Sequence, residues 1–124
     1  RYPIPMNDVL FGLQRDIILS LSDKEDCVIV GRCANNILSG DKVLRVFIYA
    51  PFETRVKTIM ERLDREEKSA RKLVKRMDKE RRAYYEFFTD QKWKDIEQYD
   101  ICIDSSRFSQ EEIVHILKEA ALSK

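Results

Sequence analysis

Leu10, Leu13, Ile17 and Leu21 recur at intervals of three and four, the spacing that gathers side chains on one face of an α-helix. Asn7 or Asp8 is the expected cap of that helix, because a short polar side chain can accept from its first free backbone amides. The proline-bearing RYPIPM before it is an approach segment that does not enter a helix smoothly. After a charged turn at 23–26, CVIV (27–30) is an unbroken apolar run rich in β-branched residues, which predicts a short strand buried on both faces. Residues 31–42 read as a loop with one helical turn around Ala34–Leu38, and VLRVFIYA (43–50) predicts a second buried strand. Pro51 stands where a helix starts, since its missing N–H costs nothing there. Phe52, Val56, Ile59, Met60 and Leu63 then form one apolar face, and a more polar helix follows over Ser69–Phe88. ICID (101–104) predicts a third short strand. Ser109 with Glu112 forms a capping box, ahead of a last helix whose core face carries Ile113, Ile116, Leu117 and Ala120.

Strands alternating with helices predict an α/β domain with a parallel sheet flanked by helices, and residues 1–124 read as one such domain. Ligands of such sheets bind beyond the carboxyl ends of the strands. That directs attention to Gly31-Arg32, Ala50-Pro51 and Asp104-Ser105-Ser106, the residues that follow the three predicted strands.

Composition narrows the functional classes. With 44% apolar residues the 124-residue chain is not a disordered segment, and no apolar run approaches the roughly 20 residues of a membrane helix. A net charge of +1 excludes a globally basic nucleic-acid binder, leaving only local basic patches. The three glycines, Gly12, Gly31 and Gly40, are too sparse for a glycine-rich phosphate loop. Cys27, Cys33 and Cys102 form neither a CxxC pair nor an even framework; two of them sit inside apolar runs, which predicts buried free thiols, a reducing compartment and a cytoplasmic location. The absence of a charged-then-apolar leader agrees with that expectation, and the opening Arg1 suggests a processed piece of a longer protein.

The charge is unevenly spread. Nine basic residues (65, 68, 71, 72, 75, 76, 79, 81, 82) stand against four acidic ones between Arg65 and Arg82, and six acids against Lys92 and Lys94 follow between Ala83 and Asp104. A solvated helix face laced with ion pairs accounts for such a stretch; so does an anion-binding flap. Lys75, Asp78 and Arg81 share one helix face, where a carboxylate between two cations can hold them extended toward a polyphosphate. Arg32, after a glycine at the end of a strand, suits either a surface ion pair or a bound anion. The aromatic run Tyr84, Tyr85, Phe87, Phe88 and Trp93 is explained by core packing. His115 points away from Ile113 on the last helix, toward solvent, and no zinc spacing or Ser/His/Asp triad can be assembled, so no metal site is expected.

Four segments together resemble the cytidylate kinase-like proteins, a branch of the P-loop nucleoside monophosphate kinases: CVIVGRCANNIL, VFIYAPFETRVKTIMER, KRMDKERRAYYEFFTDQKW and YDICIDSS. The resemblance covers nearly the whole chain. It implies a kinase-like fold lacking the first strand and P-loop, with a lid over approximately 65–90. It further implies ATP with Mg2+ as cofactors and phosphoryl transfer to a CMP- or dCMP-type nucleoside monophosphate in the intact parent. By the same resemblance Gly31, Arg32 and Arg82 bind the acceptor, and Arg81 and Lys75 stabilise transferring charge with Asp78 orienting Arg81. Asp104 and Ser105 border the adenine pocket, and Arg55 also matches. The chain departs from the family at Val30 and Cys33, which flank Gly31-Arg32 where carboxylates are common. No glycine precedes a Lys-Ser/Thr pair, so this stretch alone is expected to be inactive. The missing first strand would lie between CVIV and VFIYA, implying that a parent segment, a strand-supplying partner chain, a homo-oligomer or direct re-pairing fills the gap. The alternative is a non-catalytic α/β module that binds a nucleotide or a protein. Neither membrane nor nucleic acid is an expected partner.

Overall fold

The computed structural model describes residues 4–24, 26–31, 33–38, 40 and 42–123. Arg32, expected at the acceptor phosphate, lies outside the described residues. In chain order the elements are α1 (Ile4–Lys24), α2 (Ala34–Ile37), β1 (Val46–Tyr49), α3 (Phe52–Leu63), α4 (Glu67–Thr89), a 3-10 turn (Ile96–Gln98), β2 (Ile101–Asp104) and α5 (Gln110–Leu122).

β1 and β2 pair in parallel, Val46 opposite Ile101 and Tyr49 opposite Asp104, with α3 and α4 forming the crossover between them. A parallel pair needs such a crossover. The amino ends of the two strands are clamped. Asp100 Oδ2 accepts from the Arg45 backbone N at 2.7 Å and from Arg45 Nε at 3.2 Å, and Oδ1 accepts from Nη2 at 3.1 Å. In return the Asp100 N–H donates to the Arg45 carbonyl at 2.7 Å.

The α3–α4 hairpin carries the tightest packing. Val56, Ala70 and Val74 are buried against one another, with Phe52, Ile59 and Met60 closing over them. Asp64 takes a left-handed conformation (φ 50°) to end α3, a position short polar residues tolerate. Across the open side Arg71 bridges Glu53 of α3 and Glu67 of its own helix, and its guanidinium holds the Glu53 carboxyl below the usual carboxylate range. At the other end of α4 an aromatic cluster docks α1: Phe11 stacks on Phe88 at 4.3 Å, and the Tyr84 hydroxyl donates to Gln14. A second cluster joins Phe47 of β1 to Trp93 and Tyr99. The aromatic run is packing, as expected. In α5 both bonds of the Ser109–Glu112 capping box are formed, and His115 is exposed.

Five expectations need correction. The second predicted strand is shorter than 43–50 and is not buried: β1 spans Val46–Tyr49 with Ile48 and Tyr49 exposed, because the two-stranded sheet among the described residues leaves its faces only partly covered. Helix α1 begins at Ile4, ahead of Asn7 and Asp8, because Pro5 falls in the first turn, where no backbone donor is required. Its stripe of Leu10, Leu13, Ile17 and Leu21 is exposed; the inward face carries Phe11, Gln14 and Ile18. This helix is apolar on two faces, and contact with the α4 aromatics selects between them. CVIV is not a buried strand: residues 27–30 pair with nothing among the described residues, and Val28 and Val30 are 93% and 86% exposed. Strand hydrogen bonds are made between segments, so β-branched composition without a neighbour builds no strand. For the same reason Cys27 is exposed, as is Cys102, whereas Cys33 is the buried thiol.

Candidate functional site

The carboxyl ends of β1 and β2 lie side by side through the Tyr49–Asp104 pairing, and three parts of the chain converge there. The first is the turn after β2. Ser105 donates to the Tyr49 carbonyl through its backbone N at 2.8 Å and its hydroxyl at 3.1 Å, folding the turn over the end of β1. Asp104 Oδ1 accepts from the Ser106 hydroxyl at 2.6 Å and from its backbone N at 2.9 Å. Those two bonds, with Arg107 nearby, hold the Asp104 carboxyl below its ordinary range.

The second part is Arg55, one turn into α3. Its Nε donates to the Ala50 carbonyl at 2.9 Å, and its Nη1 meets Asp78 Oδ1 at 2.7 Å. Both side chains are largely shielded from solvent, which strengthens a charge-assisted bond relative to an exposed pair. Helix α4 is therefore tied through one guanidinium to the end of β1.

The third is the remainder of α4. Lys75 and Arg81 stand one turn before and after Asp78, about 4.5 Å of helix rise in each direction. Both are exposed and carry no ion pair among the described residues. Asp78 thus bonds to Arg55, and no bond joins it to Arg81. Arg82 lies with its guanidinium 6.0 Å from the Trp93 ring centroid, on the aromatic side of the helix.

The structure gathers Asp78, Asp104 and Ser105 at one sheet edge, leaves Lys75 and Arg81 as exposed cations on the helix tied to that edge, and sets Arg82 against Trp93. Gly31, with φ 74°, opens a turn of its own ahead of α2. The Arg55–Asp78 link was not deduced from the sequence, because its partners are 23 positions apart and on different helices. The signals for it were an arginine one turn after the helix-starting Pro51 and the match of Arg55 to the family.

Exposed lysine and arginine suit phosphate oxygens, so Lys75 and Arg81 fit part of a nucleotide's charge. A backbone cradle for the phosphates is not encoded in this stretch, which lacks the glycine-rich Lys-Ser/Thr motif. Among the described residues no three His, Cys, Asp or Glu side chains converge, and no helix is long and apolar enough to cross a membrane.

Comparison with known proteins gives this edge a context. The profile of the cytidylate kinase-like family matches residues 3–107. The chain belongs to that family. A cytidylate kinase of Methanopyrus kandleri is 25% identical over 108 residues, covering 80% of this chain and 56% of the relative. The chain thus spans little more than half the length of that curated relative. The crystal structure of an uncharacterized protein from Eubacterium ventriosum superposes with a TM-score of 0.85 at 34% identity, over 98% of this chain and 69% of that one. The family match thus runs through the turn after β2, and the structural match covers α5 as well.

Proposed function

We propose that this chain is the lid and C-terminal portion of a phosphotransferase that moves a phosphoryl group onto a nucleoside monophosphate of the CMP or dCMP type. The observation that carries the reading is the exposed Lys75 and Arg81, without an ion pair among the described residues, on a helix tied by Arg55 and Asp78 to the carboxyl edge of the sheet. Phosphoryl transfer depends on positioning and on offsetting charge at the phosphoryl oxygens. Exposed cations on an anchored helix supply both.

Magnesium-bound ATP supplies the phosphoryl group in this reading. Lys75 and Arg81 neutralise charge on its oxygens, while Asp78 and Arg55 hold the helix that presents them. Gly31, Arg32 and Arg82 take the acceptor nucleotide. Asp104 and Ser105 border the donor base, in a turn whose hydrogen bonds keep it rigid. The phosphate cradle has to come from outside these residues, so the reaction belongs to the intact protein and this stretch alone is inactive.

Phosphotransfer by the intact protein, measured with CMP, dCMP, UMP and AMP, tests substrate and site together. Transfer to CMP or dCMP that falls on the order of 100-fold in Arg81→Ala is the expected result. No transfer to any of the four nucleotides overturns the activity, and an unaffected rate in Arg81→Ala overturns the site.

A further inference from the structure

Tyr85 is the buried tyrosine of α4, and its hydroxyl accepts a hydrogen bond from Asn35 Nδ2 at 2.8 Å, across 50 positions of sequence. Asn35 belongs to α2, which has four residues. So short a helix does not hold its shape without outside contacts, because nucleation costs more than one turn of hydrogen bonds returns. The turn before it is more demanding still. Cys33 is a buried non-glycine residue in the left-handed region, φ 61°, with Asn36, Ile37 and Ala34 amides closing bonds onto Cys33 and Gly31 carbonyls. Such a conformation persists where its surroundings over-determine it.

The other side of Tyr85 is equally specific. Its hydroxyl neighbours that of Tyr99, which donates to the Trp93 carbonyl at 3.2 Å. Burial first, and then Tyr85, raise the Tyr99 phenol above its ordinary value, so it stays a neutral donor. Along α4, Arg81 lies four residues before Tyr85 and Asp78 seven before it, placing all three on one face. The face that presents Arg81 is therefore the face whose next turn bonds Asn35 of α2.

We propose that Tyr85 is a positioning residue: by holding Asn35 of α2, to which the turn of Gly31 and Cys33 is bonded, it sets the distance between Gly31, an acceptor position in the kinase reading, and the α4 segment bearing Lys75 and Arg81. This assignment rests on the kinase reading above and adds to it how acceptor and lid are kept in register. Donor and acceptor groups must be held to within a fraction of an ångström for transfer, so a rigid tie between their binding elements bears directly on acceptor affinity.

The test uses the intact protein with Tyr85→Phe, Asn35→Ala and the double variant, with Tyr84→Phe as a control that removes a hydroxyl bonded to α1. Two quantities are read: backbone amide exchange at residues 36–38, and calorimetric affinity for CMP and for ATP. Each single variant is expected to speed exchange at 36–38 and to weaken CMP by about fivefold, as for one lost hydrogen bond. ATP affinity is expected to stay as in the wild type, and the double variant to be no weaker than the singles, because both remove the same bond. A purely structural role would lower thermal stability while leaving the CMP-to-ATP affinity ratio unchanged, which overturns the assignment. Unchanged exchange at 36–38 in both singles, or the same CMP loss in Tyr84→Phe, also overturns it. Failure of the two readings is distinguishable: a wild type that binds no nucleotide removes the kinase reading and this one with it. A wild type that binds CMP no better than the variants removes this one alone.

Discussion

The α3–α4 hairpin and helix α1 use similar residues to opposite ends. Both carry apolar side chains at helical spacing. In the hairpin that stripe closes on a facing helix, so Val56, Ala70 and Val74 are buried and the charged residues around them pair with one another. In α1 the stripe of Leu10, Leu13, Ile17 and Leu21 faces outward, beside an extended 27–30 segment whose valines are also bare. Periodicity identifies a helix in both cases. Whether a stripe is buried depends on a second surface, and the hairpin brings its own because its two helices are joined by a three-residue turn. The hairpin is thus complete in itself, and Lys75 and Arg81 stand exposed on its second helix.

The sharpest way to break the contrast is to place the same charge on each stripe. Val74→Asp puts a carboxylate into the hairpin core without a partner and is expected to cost about 3 kcal/mol or more in chemical denaturation. Next in size is the tie between hairpin and sheet. Arg55→Ala and Asp78→Ala are each expected to lose about 1–2 kcal/mol, and the double variant little more than either, a non-additivity that a double-mutant cycle would measure. Leu13→Asp on the bare stripe is expected to change stability by less than about 1 kcal/mol, mostly through helix propensity; a loss as large as that of Val74→Asp would mean that the stripe is covered in the folded chain.

The smallest effect is one of pH. Asp104 has its folded value depressed by Ser106, so its contribution is present in full above the unfolded value near pH 4 and is lost as pH falls through the lower folded one. Asp104→Asn is expected to flatten the stability profile of the turn as pH falls below about 4, read from amide exchange at 105 and 106. An unaltered profile would show that the turn is held without that carboxylate.

Much of this architecture was legible from short-range pattern. The capping box of α5 and the apolar face of α3 depend on residues a few positions apart, where spacing and chemistry act together. The features that escaped depend on distant partners. CVIV has the composition of a strand, yet a strand exists only with a neighbour; α1 offers two apolar faces, and Phe88, more than 70 positions away, decides between them. The site divides the same way. Asp78 and Arg81 were visible as a pair on one helix, whereas the partner that Asp78 holds is on another. Arg32, central to the expectation, lies outside the described residues.

The Arg45–Asp100 clamp has a consequence for the order in which the molecule assembles. It joins positions 55 apart, and closing a loop of that length as free chain is entropically costly. Once α3 and α4 have collapsed on one another, most of the intervening chain is already compact and the remaining closure is short. The sheet is then a late product of the hairpin, and its alignment is checked by a two-pronged contact that a slip of one residue would break, since such a slip also turns every side chain to the opposite face. The edge at which Asp104, Ser105 and Arg55 meet therefore comes into being in one alignment or not at all.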